Sequence, residues 1–122
     1  MTTINRNIAP IKQEVENFLK QIDFKLPEGF IEFFKDSNGA DISSDENYMV
    51  LWALTEMIQL NRDYNVDEYA PDFFIFGSNG GGTAYAVKKS TSDIYEIPFI
   101  GMSNEEAVFK NKTFSEFIEG LT

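Results

Sequence analysis

The sequence contains no histidine and no cysteine among its 122 residues. Without histidine, the commonest general base and metal ligand is missing. Without cysteine, thiol chemistry and the usual structural zinc sites are excluded. No serine lies in a Gly-x-Ser-x-Gly motif, and any acidic chain offers carboxylate pairs of the kind that glycosidases use. The sequence therefore predicts a protein that is not an enzyme and that holds no metal or other cofactor.

Long apolar runs are also missing. No stretch approaches the roughly 20 apolar residues that span a bilayer, and residues 1–6 lack the basic and then apolar pattern of a signal peptide. The absence of cysteine agrees with a reducing compartment. We therefore expect a cytoplasmic protein that contacts no membrane. With 43% apolar residues and twelve phenylalanines, residues 1–122 fit one domain with its own core.

Positive charge is scarce and unevenly placed. Ten basic residues stand against twenty acidic ones, and residues 23–72 alone hold twelve acids and three bases, a net charge of −9 of the total −10. Such a field repels nucleic acid and anionic lipid, and it attracts a basic partner. The alternative is a solvated acidic surface that only aids solubility. Under either interpretation, we expect no binding to nucleic acid.

Apolar periodicity indicates helices at both ends of the chain and strands between them. Pro10 lies in the first turn of the first helix, and Thr113 or Lys112 opens the last one. We expect helices over residues 10–22, 27–38, 55–61 and 113–120, strands over 48–52, 73–76, 83–88 and 93–99, and acidic loops over 40–47 and 63–72. The predicted fold class is α+β, with a central antiparallel sheet and terminal helices packed against it.

Residues 74–87 place three glycines, Gly80 to Gly82, between two apolar and β-prone runs. A phosphate-binding loop would need a following lysine or a following helix. Here the nearest lysines are Lys88 and Lys89, and residues 83–88 alternate as a strand does. Asn79-Gly80 is a preferred pair for a tight hairpin turn. The sequence therefore favours a connection between two strands.

Three segments in this order resemble the SUKH superfamily, the Smi/Knr-like domains named after yeast cell-wall synthesis regulators. They are Leu26-Pro27-Glu28-Gly29-Phe30 continuing to Ala40, the glycine segment over residues 76–85, and the closing segment over residues 114–118. The resemblance covers residues 10–121. It implies an α+β domain that serves as a bacterial immunity protein and neutralises a polymorphic or contact-dependent toxin, often a nuclease. It transfers no catalytic and no contact residues.

The acidic middle segment also carries tyrosines, which are enriched in binding hot spots. The alternative interpretation is that these tyrosines are ordinary half-buried aromatics with no role in binding. We predict that this segment contacts a basic protein toxin and that the unbound protein is a monomer. The predicted partner-binding residues are Asp41, Asp45, Glu46, Tyr48, Asp63, Tyr64, Asp67, Glu68 and Tyr69.

Two other functions stay open from the sequence. One is a regulatory or scaffold module of the Smi/Knr type that binds a host protein or peptide. The other is a small-molecule or carbohydrate-binding domain, which a pocket with two carboxylates at glycosidase separation would favour.

Overall fold

The structure is a computed structural model that describes residues 2–120. Within these residues the chain forms seven strands, five α-helices and a 3-10 turn at Asn104–Glu106. The strands are β1 (Thr3–Arg6), β2 (Ala40–Ser43), β3 (Tyr48–Leu51), β4 (Phe73–Ser78), β5 (Thr83–Lys88), β6 (Ile94–Pro98) and β7 (Val108–Asn111). The helices are α1 (Lys12–Gln21), α2 (Phe30–Asp36), α3 (Leu54–Asp63), α4 (Val66–Tyr69) and α5 (Phe114–Glu119).

The seven strands form one sheet in the order of the sequence, and each strand pairs antiparallel with the next. The α+β class and the central antiparallel sheet are therefore confirmed. Short turns join β2 to β3, β4 to β5 and β5 to β6, because an antiparallel strand can return directly beside the previous one. Helices α1 and α2 lie between β1 and β2, and α3 and α4 lie between β3 and β4. One detail differs from the expectation: β1 precedes the first helix and forms one edge of the sheet.

The sheet separates two hydrophobic cores. Side chains alternate along β4, so that Phe74 and Phe76 face one core and Phe73 and Ile75 face the other. The main core also contains buried residues of α1, α2, α3 and α5. The second core is smaller and is covered by α4 and by the segment around Met102. Both faces of the central strands are therefore buried, which explains why β4 and β5 read as nearly continuous apolar runs.

Phenylalanine rings dominate the main core. Phe114 lies 5.2 to 6.1 Å, centroid to centroid, from the rings of five other phenylalanines, and it is 1% exposed. The contacted rings are those of Phe30, Phe33, Phe34, Phe76 and Phe117. Of the two residues predicted to open α5, Thr113 is the cap, since its hydroxyl accepts a hydrogen bond from the Glu116 amide at 3.1 Å. This capped helix holds two of the buried rings over the sheet.

The first and last segments of the family resemblance meet in the structure. The Glu28 carbonyl accepts a 2.8 Å hydrogen bond from the Phe114 amide. Gly29 has φ +90°, and a Cβ at this position would clash with the Ser115 hydroxyl. Helix α2 therefore starts at Phe30, which corrects the predicted start at residue 27. The reason is that the left-handed glycine, rather than Pro27, sets the entry of the chain into the helix.

Helix α3 substitutes for a strand beside β4. Pairing between β3 and β4 ends where Trp52 donates to the Phe76 carbonyl at 2.9 Å. Beyond that point, the Asn61 side-chain amide both donates to the Ile75 carbonyl and accepts from the Ile75 amide, each at 2.8 Å. The backbone amide and carbonyl of Ile75, which no strand in residues 2–120 pairs on this edge of β4, are thus hydrogen-bonded by a side chain, as buried backbone groups require. This contact fixes the position at which α3 crosses the sheet edge.

The two acidic loops expected from the sequence are wrong in part. Residues 40–43 form β2, in which Ala40 and Ile42 are buried and Asp41 is exposed. Residues 66–69 form α4, which Val66 and Ala70 anchor in the second core. In both places, two apolar residues among acids are enough to form a regular element, because neighbouring elements bury them.

The strands β1 and β7 were not expected either. Every residue of β1 is exposed, and Val108 and Phe109 of β7 are 62% and 49% exposed. Edge strands need no apolar alternation, because their backbone hydrogen bonds to one neighbour hold them. Their local sequence therefore carries little strand signal.

Candidate partner-binding surface

The nine predicted contact residues are all exposed, and they fall into two groups on different elements. We call Asp41, Asp45, Glu46 and Tyr48 the hairpin group, since they lie on β2, β3 and the turn between them. We call Asp63, Tyr64, Asp67, Glu68 and Tyr69 the corner group, since they lie where α3 turns into α4. The nine residues lie in one acidic segment of the sequence, whereas the fold divides them between the β2–β3 hairpin and the turn from α3 into α4.

The corner group is built around an aromatic stack. The Tyr64 ring lies between two others, at 5.8 Å and a 13° tilt from Trp52 and at 4.9 Å from Phe99. Despite these two neighbours, Tyr64 remains 45% exposed. A ring that is held in place and still open to solvent loses little conformational entropy on binding. The predicted contact residues include Tyr64 but neither Trp52, which also flanks the acidic segment, nor Phe99, and both contact the Tyr64 ring.

Exposed acidic residues precede and follow Tyr64 in the chain. Asn65 has φ +55°, a left-handed conformation that asparagine tolerates, and it turns the chain from α3 into α4. Val66 and Ala70 point into the second core, so that Asp67, Glu68 and Tyr69 are left on the outside. Tyr69 is 53% exposed. Asp67 lies 3.4 Å from the Lys89 ammonium, a surface ion pair of small energetic weight.

The hairpin group has a different support. The turn between β2 and β3 closes through the Ser44 amide, which donates to the Asn47 carbonyl at 2.8 Å. Asp45 and Glu46 lie at its exposed tip. Tyr48 is 47% exposed and contacts the glycine loop, since a Cβ on Gly80 would lie 2.8 Å from its ring. The glycine loop, residues 79–82, thereby seats one of the predicted contact residues.

Hydrogen bonds within the glycine loop also bear on the phosphate alternative. The Asn79 side-chain oxygen accepts from the amides of Gly81 at 2.9 Å and Thr83 at 3.2 Å, and the Ser78 hydroxyl accepts from Gly80. These amides are turned inward, whereas a phosphate cradle presents them to the ligand. A strand follows the loop, and Gly80 alone among its residues has a positive φ. The prediction of a strand connection is confirmed.

Asp41 of the hairpin group lies neither at the aromatic stack of Tyr64 nor at the tip of the β2–β3 turn. Its neighbours Ala40 and Ile42 face the main core, so Asp41 faces the opposite side of the sheet beside its cross-strand partner Val50. This side of β2 is open to solvent at Asp41. The predicted contact residues therefore lie on several elements and are not supported by one common structural element.

Two further properties concern residues 2–120. In this range no helix is long and apolar enough to cross a membrane. Over the same described residues, no group of three or more histidine, cysteine, aspartate or glutamate side chains is arranged to hold a metal ion.

Comparison with protein families gives one finding. The SMI1 / KNR4 family (SUKH-1) matches residues 11–120. This range includes all three segments that carry the resemblance seen in the sequence. Comparison with curated individual proteins gives no match.

Proposed function

Since the chain belongs to the SMI1 / KNR4 family (SUKH-1), we propose that it is a non-enzymatic immunity protein that binds and neutralises a cognate bacterial toxin. The toxin is a basic protein, such as a nuclease of a polymorphic or contact-dependent system. Neutralisation is by occlusion: the acidic surface covers the positively charged cleft in which the toxin holds its substrate. In this proposal residues 1–122 act as one cytoplasmic domain that is monomeric until the toxin binds.

The observation that carries this proposal is the corner group. It combines an exposed aromatic ring that contacts Trp52 and Phe99 with exposed acids on the same turn of the chain. Rigid aromatic side chains at the centre of an interface are frequent hot spots. Charges around them steer a partner of opposite sign into place. The −9 charge of residues 23–72 supplies the field that such steering needs.

The two kinds of residue are expected to act on different rates. The acids raise the association rate, which falls as salt screens them. Tyr64 and Tyr69 slow dissociation, because burying their rings removes apolar surface from water.

The first experiment identifies the partner. A pull-down with the product of the neighbouring gene, followed by a toxicity-rescue assay, is expected to show a complex and survival of cells that express both proteins. If a complex forms but the neighbouring product is not toxic, the protein is a scaffold module and the immunity proposal is wrong.

The second experiment tests the acidic surface. We expect a triple change of Asp63, Asp67 and Glu68 to lysine to lower the association rate roughly tenfold or more at low salt and to flatten its salt dependence. The measurement is stopped-flow or surface plasmon resonance at several salt concentrations.

The matched control changes Glu105, Glu106 and Glu116 to lysine. These residues are also exposed, and the shift in net charge is the same. A similar loss of rate in both triple variants would mean that total charge steers the toxin and that the corner group has no special part.

A further inference from the structure

A concave site lies at the glycine-loop end of the sheet. It is a cleft of about 690 Å³ bounded by the hairpin group, the glycine loop, strands β5 to β7 and the end of α5. The residues that matter for its chemistry are Glu46, Tyr48, Tyr85, Glu96, Lys110 and Phe117. Glu46 and Tyr48 belong to the hairpin group, so the cleft adjoins the surface proposed to bind the toxin.

Tyr85 presents an unused polar group to this cleft. The residue is 7% exposed, and its ring packs edge to face on Phe117 at 5.1 Å. Its hydroxyl makes no hydrogen bond to any residue in the described part of the chain, although it lines the cleft. Every fully enclosed side-chain nitrogen or oxygen in residues 2–120 has a partner. The Tyr85 hydroxyl therefore opens into the cleft, where a ligand or water can reach it.

The electrostatics of the cleft favour a cation. Glu96 lies opposite Tyr85 in the pairing of β5 with β6, and burial together with the charge of Glu96 raises the pKa of the Tyr85 hydroxyl. Glu96 accepts a 2.9 Å contact from the Lys110 ammonium. One carboxylate accommodates about four acceptor interactions, so this ion pair leaves Glu96 able to accept more. With Glu46 as a second carboxylate, the cleft lining carries a net charge of −1.

We infer that the cleft receives an arginine side chain of the basic partner, an inference that rests on the proposed function for the identity of that partner. A guanidinium carries five donors and no acceptor. The Tyr85 hydroxyl oxygen and the carboxylates of Glu96 and Glu46 supply acceptors. The flat face of the guanidinium also stacks on an aromatic ring, which a lysine ammonium cannot do. Tyr48, half exposed and seated on Gly80, offers that ring.

A peptide titration tests the cleft without the toxin. The probe is acetyl-Gly-Arg-Gly-amide, and its control is the same peptide with citrulline, which keeps the shape and removes the charge. Followed by NMR, the arginine peptide is expected to give saturable shifts at Tyr48, Tyr85 and Glu96, with an affinity at least about tenfold above that of citrulline. Equal affinities, or shifts that lie elsewhere, would overturn the inference.

Variants assign the binding to named groups. We expect Tyr85→Phe and Glu96→Gln each to weaken the arginine peptide by roughly threefold or more. Tyr95→Phe is the matched control, because Tyr95 packs toward the second core on the other side of β6. Thermal melts of all three variants check that the fold is kept. Wild-type affinity in both cleft variants would contradict the inference.

The toxin itself separates the two proposals. If it binds wild type and loses affinity with Tyr85→Phe, both stand. If it binds wild type and both cleft variants equally, the toxin does not use the cleft and this inference is wrong, while the proposed function remains. If it binds none of the proteins, the proposed function fails, and the peptide titration still decides whether the cleft accepts arginine.

Discussion

Phenylalanine and tyrosine divide this molecule into two regions. In the main core, Phe30, Phe34 and Phe114 are at most 1% exposed and contact one another. On the outside, Tyr48, Tyr64 and Tyr69 are 45 to 53% exposed and lie among acids. Both residues offer a similar ring, but the tyrosine hydroxyl stays hydrated at no cost. The comparison indicates that one set of rings holds the fold while the other is available to a partner.

Tyr85 lies between these regions. Its ring is part of the main core, and its hydroxyl opens into the cleft beside the glycine loop. One residue thus contributes both to the main core and to the lining of the cleft.

The largest expected effect separates the two regions by stability. Phe114→Ala should lower the free energy of unfolding by about 3–5 kcal/mol, because it leaves a cavity among five rings. Tyr64→Ala, which removes a half-exposed ring, should lower it by about 1 kcal/mol. Urea unfolding at equilibrium measures both values. Similar losses in the two variants would break the comparison, since Tyr64 would then be part of the fold rather than of a binding surface.

A smaller effect is expected where the chain passes from α3 to the sheet edge. Asn61→Ala leaves the amide and carbonyl of Ile75 without their partner, so we expect a loss of about 2 kcal/mol. Hydrogen exchange at the Ile75 amide should become faster at the same time. Gln59→Ala on the same helix removes an exposed hydrogen bond to Asp63 and is expected to change stability by about 0.5 kcal/mol or less. An unchanged exchange rate at Ile75 would show that Asn61 does not hold the strand edge.

The smallest effect concerns the pH dependence of Tyr85. Burial, and then the charge of Glu96, raises the pKa of its hydroxyl above the usual value of 10.0. The unfolded chain therefore loses this proton first as pH rises. The stability that the neutral hydroxyl contributes is present below about pH 10 and is lost as pH passes through the folded-state pKa. Between about pH 9 and about pH 11, the wild-type melting temperature should fall more than that of Tyr85→Phe.

This difference isolates Tyr85, because the lysines, Glu96 and the other tyrosines are the same in both proteins. Lys110 lies beside Glu96 and remains a common background. Parallel pH profiles for the two proteins would mean that the hydroxyl is hydrated in the folded state much as it is in the unfolded chain.

The sequence predicts the structure best where local chemistry decides it. Thr113 caps its helix, the glycine loop joins two strands, and residues 83–88 alternate between the two cores. These features depend on neighbours within a few positions of the chain. The family resemblance was confirmed for the same reason, since its three segments consist of such local features in a fixed order.

The sequence predicts the structure least well where distant segments decide it. The helix predicted over residues 27–38 ends at Asp36, and Asn38 instead caps α3 through the Thr55 amide and hydroxyl. The strands β1, β2 and β7 were missed because pairing with neighbours, rather than their own residues, holds them.

The candidate site shows the same limit. The sequence placed charge and tyrosines in one segment, but it did not reveal the Trp52–Tyr64–Phe99 stack, whose members are up to 47 positions apart. The cleft around Tyr85 was also hidden, because its walls come from six parts of the chain, most of them far apart in sequence.

By itself, the sequence determined that histidine and cysteine side chains are absent, where the charge is concentrated and which family its segments follow. These are properties of composition and of local order. Only the tertiary structure decided which rings are buried, which amides of the glycine loop are satisfied and where a cleft opens. The physical reason is that backbone pairing and side-chain burial depend on residues far apart in the chain, and their energies exceed the local preferences of exposed segments.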